Sequence, residues 1–269
     1  MEKLQEKIQN KQEQNFSLIK QAEQDIERIA PFVKEKLIPD ILNSKPENIV
    51  FLDKGARIFA TPFKKILEEQ DSDYKPKILF FNDSKLKESY MSGTLDALLE
   101  NLSVNSDNER YVFIDETYSA GKGAATLKKI KDKIGINLKY YALSKATVPQ
   151  FAREGQDNVM LSHVEHQVNE KLLQTDSDFI INNEKLDNLT LFSKEASKLY
   201  VDESVSGKTI SKFNEGGITD EQESNRNKAI SQMMGLSEIE LDTLSSSLKS
   251  EDQYTVRQLK SMIYKSFKA

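Results

Sequence analysis

Tyr111-Val-Phe-Ile-Asp-Glu-Thr-Tyr-Ser-Ala-Gly-Lys-Gly-Ala-Ala-Thr126 reads as an apolar strand ending in two acids, then a loop of small residues, then the start of a helix. Small residues let a backbone wrap closely around a phosphate, whose charge is met by loop amides and by the positive end of the following helix. The adjacent carboxylates, Asp115 and Glu116, repel a phosphate. They accept hydrogen bonds from sugar hydroxyls, however, and favour positive charge on a sugar carbon. Acids and phosphate cradle together indicate a sugar phosphate. The plainer alternative is that the acids cap the helix and end a buried strand. A cap accounts for one acid, not for the pair together with the glycine loop.

Outward from this stretch, short apolar runs at 49–52, 78–81, 111–114 and 138–143 alternate with amphipathic stretches. Near-continuous apolar strands alternating with helices predict an α/β fold, a parallel sheet covered on both faces in three layers and joined throughout by right-handed β-α-β connections. Ligands bind such sheets beyond the carboxyl ends of the strands, so the residues after Leu52, Phe81, Ile114 and Leu143 are the functional candidates. Further strands are expected at 159–161 and 179–182.

Before this core, Ile19, Ala22, Ile26, Ile29 and Val33 recur at spacings of three and four, the pattern of an amphipathic helix. Pro31 is expected to end or kink it, with a second short helix reaching Leu42 before a breaker at Asn43–Pro46. Towards the other end, Thr219 with Gln222, Ser237 with Glu240, and Ser250 with Gln253 match capping boxes, and Gly235 suits a helix end. Three helices with a small core of their own, including Ile230, Met233, Leu259 and Ile263, follow from this. The expected organisation is a helical segment at 1–46, the α/β domain at 47–183 and a mainly helical extension at 184–269.

Composition narrows the function. The 269 residues are 38% hydrophobic and 30% charged, enough apolar content to fill a core. No apolar run approaches a membrane span, and the polar start has no secretory signal, so a soluble cytoplasmic protein is expected. Cysteine is absent, which excludes disulfides, thiolate metal sites and cysteine nucleophiles. A net charge of -5 gives no overall attraction to nucleic acid. Lys64-Lys65 and Lys128-Lys129 read as solvated helix faces, and a homo-oligomer or a protein partner would bind through the helical ends.

The central stretch resembles the fingerprint of the phosphoribosyltransferase family, an apolar strand, two acids, two variable residues and a small phosphate loop, here Ser119-Ala120-Gly121-Lys122-Gly123. An earlier segment, Phe51-Leu-Asp-Lys-Gly-Ala-Arg-Ile-Phe59, looks like the Lys-Gly-Gly pyrophosphate loop of the purine-salvage members. The resemblance implies the type I phosphoribosyltransferase fold and binding of phosphoribosyl pyrophosphate with Mg²⁺. Catalytic Asp115 and Glu116 would then hold the ribose hydroxyls. Thr117, Tyr118, Ser119, Ala120, Gly121, Lys122 and Gly123 would hold the 5-phosphate, and Lys54, Gly55 and Arg57 the pyrophosphate. No protein side chain would bind the metal directly, since magnesium would arrive on the substrate. The implied reaction is transfer of the phosphoribosyl group to a nitrogenous acceptor with release of pyrophosphate. Gly123 stands where the family places a hydroxyl residue. Ser119 replaces an acid that assists proton transfer to purines, so a non-catalytic sensor of a phosphoribosyl ligand is the alternative. A lid would fall around 85–93, where Lys85, Lys87 and Tyr90 could reach substrate, and Lys145 reads as a surface lysine.

Other motifs fail on inspection. A nucleotide-triphosphate P-loop needs Ser or Thr after Gly121-Lys122, and Gly123 stands there. His163 and His166 do not have the spacing of a zinc-protease helix, and a solvated or hydrogen-bonded pair is the simpler reading.

Overall fold

A computed structural model describes residues 2–53, 55–82, 109–118, 122–146, 171–173, 175–186, 210–212 and 238–268. The fold is α/β, built on a sheet with five parallel strands. In chain order the elements are α1 (Glu2–Phe32), a π turn (Val33–Leu37), α2 (Ile38–Ser44), β1 (Asn48–Asp53), a 3₁₀ turn (Gly55–Phe59), α3 (Ala60–Gln70), β2 (Lys77–Asn82), β3 (Arg110–Asp115), α4 (Lys122–Ile134), β4 (Asn137–Ala142), β5 (Lys145–Ala146), β6 (Phe179–Ile181), β7 (Lys185–Leu186), β8 (Ile210–Lys212) and α5 (Glu238–Lys268). The main sheet has the order β6-β4-β3-β1-β2-β8, and β5 pairs with β7 in a second, two-stranded sheet. The four apolar runs and the 179–182 segment therefore form strands, as expected. The edge strand β8 runs antiparallel to β2, so the expectation of parallel connections throughout is corrected at that edge. The 159–161 segment, the lid at 85–93 and both histidines lie outside the described residues.

Alternation along the strands sends side chains to two cores. Ile49 and Phe51 of β1, Ile78 and Phe80 of β2, Val112 and Ile114 of β3 and Tyr141 of β4 pack against α1, α2, α3 and α5. Val50, Leu52, Tyr111, Phe113, Leu138 and Tyr140 turn the other way and meet Ala124, Leu127 and Ile130 of α4. Helices thus cover both faces, which is why these strands read as continuously apolar. From β1 the chain crosses through α3 to β2 on one side. From β3 it crosses through α4 to β4 on the other side and the opposite face. Opposite directions on opposite faces give both crossovers the same hand, and the β1–β3 boundary becomes the point where strand order reverses.

The helices depart from expectation in two places. Pro31 does not end α1. The chain continues through a π turn, whose Val33 carbonyl accepts the Ile38 N–H, and then into α2 with Pro39 in its first turn. Pro31 and Pro39 each lack the N–H of the ordinary ladder, and the wider turn carries the backbone between them. The breaker does act. Lys45 takes a left-handed conformation with φ 44°, and its N–H closes α2 on the Ile41 carbonyl at 2.7 Å. Pro62 sits in the first turn of α3, where its missing N–H is no loss, and the helix starts after Phe59.

The second departure is α5, a continuous helix of 31 residues that runs straight through the expected capping box at Ser250 and Gln253. Thr219, Gln222, Ile230, Met233, Gly235 and Ser237 lie outside the described residues. Leu259, Ile263 and Phe267 do not form a core of their own but join the one around α1 and α3. Phe267 stacks on Phe59 at 5.9 Å and meets the edge of Phe63 at 5.7 Å. Each such side chain contributes about 1.5–3 kcal/mol on burial, so α5 is held chiefly by this stripe. Among the described residues no helix is long and apolar enough to cross a membrane.

Candidate functional site

Asp115 ends β3 and Glu116 follows it, both half-buried at the carboxyl end of the sheet. The two acids reach in different directions. Asp115 turns towards β4, where Oδ2 accepts a hydrogen bond from the Tyr140 hydroxyl at 2.7 Å, while Oδ1 lies 3.5 Å from the Thr117 amide nitrogen. The strand register explains the first contact. Asp115 pairs with Ala142, so Tyr140 is its diagonal neighbour on the same face, within reach of a long side chain. Glu116 instead reaches across the β1–β3 boundary and lies against Gly55. A Cβ at Gly55 would fall 2.3 Å from Glu116 Oε1 and 2.4 Å from its Cδ, so only glycine accommodates the carboxylate as it stands.

The backbone after the acids is pinned to the end of β4. The Leu143 N–H donates to the Asp115 carbonyl at 2.9 Å, and the Tyr118 N–H donates to the Ser144 carbonyl at 2.9 Å. The fully buried Ser144 donates its hydroxyl to the Glu116 carbonyl at 2.9 Å and also meets the Thr117 hydroxyl. The path of residues 115–118 is therefore fixed before the small-residue loop begins. Tyr118 itself is buried, in the cluster that also holds Phe81, Phe113 and Leu127.

Of the remaining candidates, Lys122 opens α4 and Gly123 is its second residue. Gly55 opens the 3₁₀ turn, and the Arg57 guanidinium stacks on the Phe80 ring at 4.1 Å, on the β2 side of the loop. Lys54, Ser119, Ala120 and Gly121 lie outside the described residues. Lys145 is half-buried in β5, where its N–H donates to the Glu184 carbonyl at 2.9 Å. Lys128 is not a solvated lysine. Its side chain is 12% exposed and pairs with Asp132 at 3.2 Å and Asp176 at 3.1 Å. Lys131 joins this network with Asp176 at 3.0 Å and Asp178 at 2.6 Å, fixing α4 to the turn before β6.

One residue of the site, Tyr140, is missed by the sequence reading, whereas Ser144 directly follows Leu143, one of the strand ends it singled out. A tyrosine in an apolar strand reads as core, and Tyr140 does stack on Phe179 at 5.6 Å. Only the register, which sets it diagonal to an acid on the adjacent strand, marks its hydroxyl as part of the site. Burial raises the Tyr140 pKa well above the usual phenol range, and the neighbouring Asp115 charge raises it further. The hydroxyl therefore stays a protonated donor at any ordinary pH.

These elements define a three-layer α/β protein whose strand-tip carboxylates sit at the reversal point of its sheet, the position where open α/β sheets bind ligands. The sequence matches no protein-family model and no curated protein.

Proposed function

We propose that this chain is a phosphoribosyltransferase-like protein that binds phosphoribosyl pyrophosphate and transfers the phosphoribosyl group to a nitrogenous acceptor. The observation that carries the reading is the contact between Glu116 and Gly55. Two sequence segments that separately resemble the family's acid pair and pyrophosphate loop are held side by side at the switch point of the sheet. Helix α4, Lys122–Ile134, comes a few residues after the acids in the chain, in keeping with a phosphate held near a helix amino end.

In this reading Asp115 and Glu116 accept hydrogen bonds from the ribose hydroxyls. Their negative charge stabilises the positive charge that develops on the anomeric carbon as its bond to the diphosphate oxygen breaks. The acceptor nitrogen forms the new bond to that carbon and releases its proton to solvent, while the diphosphate departs. The hard oxygens of Asp115 and Glu116 are compatible with Mg²⁺ nearby. A cation delivered on the diphosphate needs few protein ligands. Bound there, magnesium would offset the charge of the leaving group.

The second reading is a sensor without turnover. Gly123, in the first turn of α4, has no hydroxyl to offer a phosphate, and this lowers the expected hold on the ligand. Pyrophosphate release with purine, pyrimidine and other nitrogen acceptors separates the two. Turnover supports the enzyme, and ligand-induced thermal stabilisation without turnover supports the sensor. For either, the Asp115→Asn, Glu116→Gln double variant is expected to bind Mg²⁺–phosphoribosyl pyrophosphate about 100-fold more weakly, two charge-assisted hydrogen-bond acceptors being lost. Unchanged binding refutes the site.

A further inference from the structure

We infer that Tyr140 is a positioning residue of the ribose-binding acid. It fixes the Asp115 carboxylate from within the core and so sets which way that carboxylate faces a ligand. The inference rests on the proposed phosphoribosyl reading and adds a residue from a strand that neither motif contains. The hydroxyl donates to Asp115 Oδ2 at 2.7 Å. The ring is fully buried and stacked on Phe179, so the donor cannot follow the carboxylate if it rotates. Asp115 is half exposed at a strand tip, where an aspartate would otherwise sample several orientations about its side-chain torsions. With Oδ2 held on the β4 side, Oδ1 is placed on the Thr117 side, at the root of the segment leading to the small-residue loop. A ligand whose phosphate lies in that loop would then meet an acceptor already oriented, with less ordering left for binding to impose.

Glu116 sits beside a different element. Its carboxylate rests on the face of a glycine. The two acids accordingly divide the work: Asp115 is fixed by the core, and Glu116 is placed by the fit between two loops.

Tyr140→Phe removes the hydroxyl alone and leaves the ring on Phe179. Water can replace the lost donor at the half-exposed Asp115, so the variant is expected to fold. Binding of Mg²⁺–phosphoribosyl pyrophosphate is measured calorimetrically for the wild type, Tyr140→Phe, Asp115→Asn and the double variant, with melting temperatures alongside. Tyr140→Phe is expected to lose about tenfold in affinity, one charge-assisted hydrogen bond's worth of orientation. In the Asp115→Asn background the same change is expected to cost nothing further, because its effect passes through the carboxylate. Phe179→Leu, which loosens the ring's packing and keeps the hydroxyl, is expected to lower the melting temperature and to cost less affinity than Tyr140→Phe, since the clamp is loosened and not removed. Equal losses in both backgrounds, or a Tyr140→Phe affinity equal to wild type with only a lower melting temperature, would reduce Tyr140 to a structural staple and overturn the inference. A wild type that does not bind this ligand overturns the proposed function, and the inference with it.

Discussion

The two ends of β3 carry acids of opposite design. At the amino end, Glu109 accepts hydrogen bonds from the buried Asn48 side chain and from the Tyr111 hydroxyl, both at 2.9 Å, and pairs with Lys77 at 3.5 Å. Its neighbour Arg110 grips Glu47 through both side chain and backbone, at 2.8 and 2.7 Å, and also holds the Lys45 carbonyl at 2.8 Å. Burial raises the Glu109 pKa, but Asn48, Tyr111 and Lys77 together outweigh it and hold the carboxyl below its usual range. Chiefly the Arg110 hydrogen bond brings Glu47 down to about 2. At the carboxyl end, Asp115 meets a phenol and Glu116 meets the face of a glycine. One end matches charge against charge and so ties α2, β1, β2 and β3 together. The other sets two like charges side by side, Asp115 on the Tyr140 hydroxyl and Glu116 against Gly55, an arrangement suited to gripping hydroxyls and a developing cation.

If that contrast is right, substitutions at the two ends should have effects of different kinds. The largest among single changes belongs to Gly55→Ala. The new methyl must drive the Glu116 carboxylate from its place, which a flexible side chain can do at small cost to the fold. Affinity for Mg²⁺–phosphoribosyl pyrophosphate should fall about tenfold with little change in melting temperature. A large loss of stability with full affinity would mean that Glu116 packs there for structural reasons. Next comes Asn48→Ala at the amino end, which strips a donor from Glu109 inside the protein. Urea unfolding should show a loss of about 1–2 kcal/mol while ligand affinity stays the same. The smallest effect concerns acid. Because Glu47 has a lower pKa folded than its ordinary 4.5, its contribution to stability is complete above that value and is lost as pH falls through about 2. The stability gap between wild type and Glu47→Gln should close over that window. A gap independent of pH would remove the Arg110 pair from the account.

Much of the α/β layout was legible because strands buried on both faces must be apolar at nearly every position. The runs of β1 to β4 carry that requirement in their residues. The stripe from Ala22 to Val33 likewise shows which face of α1 is buried. The edge strand β8 was not legible: three residues paired on one side only leave no period to read. The capping box at Ser250 and Gln253 misled because the same residue types are tolerated inside a helix when Leu259, Ile263 and Phe267 hold its far half on the core. In the site, the acids could be found by their chemistry. Their separate surroundings could not, since Gly55 and Tyr140 come to them from neighbouring strands through topology and register rather than through nearby sequence.

The packing of α5 also bears on how the protein is made. Tyr264 donates its hydroxyl to Glu69 across 195 positions of chain, and the aromatic stack of Phe59, Phe63 and Phe267 closes over the same distance scale. While the intervening residues are still being translated, a greasy flank of the nascent chain stays open beside α3. Late sealing of this kind slows folding and exposes the growing polypeptide to misassociation. In the finished molecule Leu259, Ile263 and Phe267 cover that flank.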